Sequence, residues 1–136
     1  MTSLKLLRLS DKLNIPVYNF KMSRKKAFCV VDAIAVDFFR VETERECKAL
    51  LSEELGHVIT GALYPLSHCV NPLYKENIDK QERKAYNYSL TLQVPLNELK
   101  DAISHENSDY EIAESLDVDI QTLQKAVEYY RIKGML

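Results

Sequence analysis

Glycine is scarce: the chain has three in 136 residues, beside four prolines and no tryptophan. A glycine-rich phosphate loop has too little material to be built from, which argues against a nucleotide enzyme. Cysteine is equally sparse and odd in number, with Cys29, Cys47 and Cys69 in no C-x-x-C spacing. That argues against a disulfide framework and a structural zinc site, and it fits a reducing compartment. No apolar run is long enough to cross a bilayer, and residues 1–10 scatter basic residues where a signal peptide would carry an apolar block. A cytoplasmic location is therefore expected. Neither sign of charge dominates, since 18 Lys+Arg against 20 Asp+Glu leave a net charge of −2, too little to draw in polyanions. What is present, 46% hydrophobic and 28% charged residues, suits one domain with a single core.

Leu4, Leu6, Leu7, Leu9 and Leu13 mark a first helix that stops near Asn14, ahead of Pro16. Residues 17–20 have the composition of a short strand. Residues 27–31 and 34–39 are β-branched and aromatic runs separated by Asp32-Ala33, the pattern of a hairpin. Residues 61–77, with Pro65 and Pro72, form the longest irregular stretch, either a flap near a cleft or a simple connector. A helical run follows over residues 78–92, where Ala85, Tyr86, Ser89 and Leu90 recur at three- and four-residue spacing.

Between hairpin and connector lies the stretch that carries chemistry. Thr43 and Glu46 make an S/T-x-x-E helix start, and Cys47, Leu50, Leu51, Leu55, Val58, Ile59 and Ala62 continue as an apolar stripe. Inside that helix, Glu53-Glu54-Leu55-Gly56-His57 reads as H-E-x-x-H with its first histidine replaced by glutamate. Residues four apart share a helix face, so Glu53 and His57 are candidate ligands of one metal ion. Glu54 would be the general base acting on a metal-bound water. Glu54 also falls within the apolar stripe, where an unused carboxylate is costly to bury. The plainer alternative is two solvated surface acids and a satisfied core histidine.

Zinc catalysis needs a third protein ligand. The position six residues after His57 is Leu63, which is unsuitable. Glu82, on the next helical run, suits the arrangement in which a later helix supplies a glutamate; otherwise it is an ordinary exposed acid among Lys80, Arg83 and Lys84. His68 competes as an alternative ligand from the proline-flanked stretch.

These residues resemble the ImmA/IrrE-type metallopeptidases of bacteria, phages and integrative elements, over most of the chain. Ser52-Glu53-Glu54-Leu55-Gly56-His57 resembles the family phrase A-H-E-L-G-H with a changed first ligand. The run from Glu82-Arg83-Lys84-Ala85 through Tyr86-Asn87-Tyr88 to Val94-Pro95 loosely follows E-x-x-A-N-x-F-A-x-x-L-L-x-P. The resemblance implies Glu53, His57 and Glu82 as metal ligands, Glu54 as catalytic base, and a helix-turn-helix repressor as the protein partner. Two glutamates and one histidine form a harder donor set than the usual one, so zinc is expected with manganese or iron more competitive.

The last third has its own pattern. Ile112, Ala113, Leu116, Val118, Leu123 and Ala126 follow the spacing of a helix-turn-helix core behind the capping box Ser108-Asp109-Tyr110-Glu111. Asp117 and Asp119 stand where a recognition helix would begin, and no basic cluster accompanies them. Direct DNA binding is therefore not expected, and a helical subdomain that packs on the core or docks a protein is preferred. The expected whole is an α+β fold: a small antiparallel sheet packed on the active-site helix of a gluzincin-like minimal peptidase (residues 1–95), then a helical, helix-turn-helix-like subdomain (residues 96–136). The expected function is a metal-dependent endopeptidase acting on a repressor of a phage or mobile element. The alternatives are an inactive antirepressor of the same fold, favoured by Glu53, and a DNA-binding accessory protein.

Overall fold

Thr2 opens the first helix by accepting the backbone N–H of Lys5 on its side chain, at 3.2 Å. In the computed structural model, which describes residues 1–61 and 72–136 and, for 72–78, the backbone alone, this helix α1 spans Ser3–Lys12. Asn14 ends it in the left-handed region at φ 58, a conformation its short polar side chain tolerates, before Pro16. Only Leu6 of the leucine series is fully buried, while Leu4 and Leu13 stay exposed.

Three strands follow: β1 (Val17–Asn19), β2 (Ala27–Val30) and β3 (Ala33–Val36). The sheet order is β1-β3-β2, with β1 parallel to β3 and β2 antiparallel to it. The sheet is thus mixed, which corrects the expectation of an antiparallel one. Because β1 and the β2–β3 hairpin are joined by a loop that doubles back, the outer strand β1 must run with the central one. The hairpin pairs Val30 with Ala33, so Val31-Asp32 is the turn and not Asp32-Ala33. The third strand also stops at Val36, and Phe38–Arg40 form a short 3-10 turn in which Phe39 is 91% exposed.

Helix α2 (Glu44–Thr60) starts as its sequence indicates, with the Thr43 hydroxyl accepting the Glu46 N–H at 3.0 Å. The reciprocal half of the box is diverted, because the Glu46 carboxylate takes the Lys26 ammonium at 2.7 Å instead. Two faces of α2 are buried. Leu51 and Leu55 join Leu6, Ile15, Ala27, Ile34, Val36 and Leu92 in an N-terminal core. Lys48, Ser52 and Gly56, four residues apart, form a second buried line.

Helix α3 spans Pro72–Gln93, so it begins six residues before the expected 78. Pro72 occupies the first helical position, where a missing N–H costs nothing, and so opens a helix instead of marking a loop. Ala85, Ser89 and Leu90 are buried as their spacing suggests, whereas Tyr86 faces outward with the Lys125 ammonium 5.4 Å from its ring centre. Helices α4 (Leu96–His105), α5 (Asp109–Leu116) and α6 (Ile120–Ile132) complete the chain. All six predicted core residues, Ile112, Ala113, Leu116, Val118, Leu123 and Ala126, are buried together with Leu90, Val94, Leu99 and Tyr130. Asp117 sits in the turn at φ 52, and Asp119 caps α6 by accepting the Thr122 N–H at 2.7 Å. The fold is α+β: six helices and a three-stranded mixed sheet among the described residues. No helix among the described residues is long and apolar enough to cross a membrane.

Candidate functional site

Gly56 is the structural pivot of the site. A Cβ built on it would lie 2.6 Å from the backbone carbonyl oxygen of Ala85, so α2 and α3 cross closer there than any side chain permits. Small residues line both sides of this crossing: Gly56 on α2, Ala85 and Ser89 on α3. The crossing carries His57 and Glu82, three residues before Ala85, toward one another. His57 Nε2 and Glu82 Oε2 are 3.6 Å apart, with the imidazole 17% and the carboxylate 44% exposed.

Glu54, one turn before His57 on α2, is half-buried beside β2 and feels the charge of His57. The thiol of Cys29, on the helix-facing side of β2, hydrogen-bonds the Glu54 carboxylate. Burial pushes the Glu54 carboxyl above the ordinary glutamate value; the Cys29 hydrogen bond opposes the rise, neighbouring Glu53 adds to it, and His57 and Lys25 oppose it. Cys29 responds in kind. Burial first, then the hydrogen bond to Glu54 and the charges of Glu54, Glu53 and Glu82, push its thiol up to about 12. It is therefore a protonated hydrogen-bond donor at neutral pH, not a nucleophile.

Glu53 is exposed on α2 one turn before His57. Of the four residues singled out from the sequence, the structure brings His57 and Glu82 into contact, sets Glu54 beside them and leaves Glu53 at the solvent edge. Among the described residues, no three His, Cys, Asp or Glu side chains converge closely enough to hold a metal ion as they stand. The donors are of the right kind for a divalent ion, and two of them are adjacent; closure requires Glu53 to swing inward or a ligand from elsewhere. His68 lies outside the described residues, as does most of the 61–77 stretch expected to be irregular.

The sequence alone assigns no role to Cys29, Lys25 or Gly56. The alternation of β2, with Ala27 buried and Phe28 exposed, places Cys29 on the inner face and could have flagged it. The small residues of α2 and α3, spaced to meet, could have flagged the tight crossing.

Comparison with protein-family models, with curated proteins and with solved structures finds no match.

Proposed function

We propose that the protein is a metal-dependent peptidase of gluzincin-like, ImmA/IrrE-type architecture that acts on a helix-turn-helix repressor of a phage or mobile element. The observation that supports this best is the 3.6 Å approach of His57 and Glu82 across the Gly56 crossing, with a half-buried Glu54 alongside. Glu53, His57 and Glu82 would hold one divalent ion, zinc first, with manganese or iron competitive because two of the three donors are carboxylates. When bound, the ion supplies the Lewis acidity that polarises a peptide carbonyl and acidifies water.

The chain's own part is proton handling. Desolvation makes Glu54 a stronger base than a solvated glutamate, suited to take the proton of an attacking water at its carboxylate and return it to the departing amine. In this reading the Cys29 thiol donates a hydrogen bond to that carboxylate. Gly56 fixes the separation of the two helices that carry the groups.

A second reading is favoured by the exposed Glu53 and by the lack of three converging donors among the described residues. In it the same fold antagonises a repressor by binding alone. Incubating the zinc-supplemented protein with its candidate repressor separates the two. Peptidase action predicts fragments of the repressor with the wild-type protein, none with Glu54→Gln, and retained co-elution of Glu54→Gln with intact repressor. Relief of repression by Glu54→Gln at the wild-type level would contradict the peptidase mechanism.

A further inference from the structure

Among the described residues, the sheet has one covered face. Ile34 and Val36 of β3 and Ala27 of β2 point into the core beneath, so the residues between them point outward. The register puts Tyr18 of β1 and Phe28 of β2 opposite Ala35 from either side, in one row across the sheet. Ala33 and Ala35 thus floor a trough along the central strand. Tyr18 and Phe20 wall one side; Phe28 and Val30 wall the other, and all four are exposed. Phe20 and Phe28 close one end edge to face, with ring centres 6.3 Å apart. Exposed aromatics in a contiguous patch mark a binding surface more than a solvated one.

The charges at the two ends differ. At the Val36 end lies the loop that joins β1 to β2, which carries exposed Lys21, Arg24 and Lys25, while Lys26 is held by Glu46. The loop backbone is clamped: Asp37 accepts the Met22 N–H at 3.0 Å, and the Arg40 guanidinium donates to the carbonyls of Met22 and Lys25 at 3.3 and 3.0 Å. Highly exposed Phe39 stands beside Lys21 and Met22. At the opposite end, the hairpin turn presents Asp32. A uniformly anionic ligand, whether nucleic acid or lipid surface, would meet attraction at one end and repulsion at the other. A helix, with an apolar face and acids clustered at one end, matches the whole length. Four strand residues at about 3.3 Å each give a trough of roughly 13 Å, the rise of about nine helical residues.

We propose that this trough is a docking surface for an amphipathic helix of a protein partner, seated along β3 with its acidic end over Lys21, Arg24 and Lys25. The helix supplies the layer that a one-sided sheet lacks. The surface does not depend on hydrolysis, although Lys25 at its edge also feels the charge of the Glu54 carboxylate.

Binding of two labelled, stapled amphipathic peptides tests it by fluorescence anisotropy on the full chain. Both carry the same leucine face; one ends in a glutamate cluster and the other in a lysine cluster. The glutamate peptide is expected to bind about tenfold tighter at low salt. The combined Lys21→Glu, Arg24→Glu and Lys25→Glu variant should reverse that preference. Tyr18→Ser with Phe28→Ser, both at exposed positions, should abolish binding of either peptide with the circular dichroism spectrum unchanged. Glu54→Gln should bind as the wild type does, so loss of peptidase activity and loss of docking are separable. Equal affinity for the two peptides, or unchanged binding after the aromatic substitutions, would overturn the proposal. So would tighter binding of oligo-dT or of phosphatidylserine vesicles that the same substitutions remove.

Discussion

Glu54 is the residue on which the proposed catalysis and the stability of the fold pull in opposite directions. Its carboxyl is held above the ordinary range by burial, so the folded state binds its proton more tightly than the unfolded chain does. The stabilisation tied to that proton is present in acid and is lost as pH rises through the raised value. At neutral pH the ionised carboxylate therefore carries a desolvation cost that glutamine, isosteric and neutral, does not. Glu54→Gln is expected to raise the melting temperature of the chelator-treated protein slightly at pH 7.5 and to leave it unchanged near pH 4. A fall in melting temperature at neutral pH would mean that the carboxylate is a structural anchor. The acid itself was legible in the sequence, because a glutamate inside an apolar stripe is a local conflict that function resolves. Its partner was not. Cys29 lies in another element, and its contact with Glu54 exists only once β2 is laid across α2.

Elements were legible where local chemistry defines their ends. Thr43, Ser108 and Asp119 each cap a helix by accepting an N–H three residues on. Where tertiary register decides, the sequence was ambiguous. The hairpin turn slid back one residue to Val31-Asp32, and the sheet proved mixed because nothing in residues 17–20 states which way β1 runs. Pro72 looked like a loop residue and is a helix start. The α2–α3 crossing is the element-scale feature that the site depends on. Gly56→Ala places a methyl group against the Ala85 carbonyl oxygen, and backbone cannot yield as a flexible side chain would. Alanine's better helix propensity, about 1 kcal/mol, offsets part of an overpacking cost of roughly 1–3 kcal/mol. The expected outcome is a lower urea midpoint and, under the proposed peptidase function, lost repressor cleavage. A midpoint equal to or above the wild-type value would show that the helices are not held at this separation.

At the scale of the molecule, α3 ties together two apolar clusters, giving Leu90 to the C-terminal one and Leu92 to the N-terminal one. Polar contacts reinforce the join. Lys48 of α2 is buried with its ammonium 2.6 Å from the Leu116 carbonyl at the end of α5, and Arg45 reaches Asp117 and Glu114. Burial lowers the Lys48 value, with Asp117 and Glu98 opposing. The folded state thus sheds the Lys48 proton more readily than the unfolded chain, and this group's contribution to stability rises with pH below the ordinary lysine value. Lys48→Met should flatten that rise between pH 8 and pH 10 in urea titrations. Lys48→Ala, which also empties the space of the stem, should be less stable than Lys48→Met by roughly 2–4 kcal/mol. Equal stability of the two would show that the stem fills no space of consequence. The spacing of apolar residues foresaw a helical last third with an apolar core, yet a buried lysine linking two elements 68 positions apart leaves no periodic trace.

The central claim, that α2 and α3 together hold a metal ion, is tested most directly by zinc titration of the metal-free protein with mass-spectrometric metal counting. One zinc per chain is predicted for the wild type and for Glu54→Gln, with at least about a tenfold loss of affinity in His57→Ala and in Glu82→Gln. A wild-type protein that takes up no zinc, manganese or iron, or one whose uptake neither substitution at 57 nor at 82 changes, would contradict it.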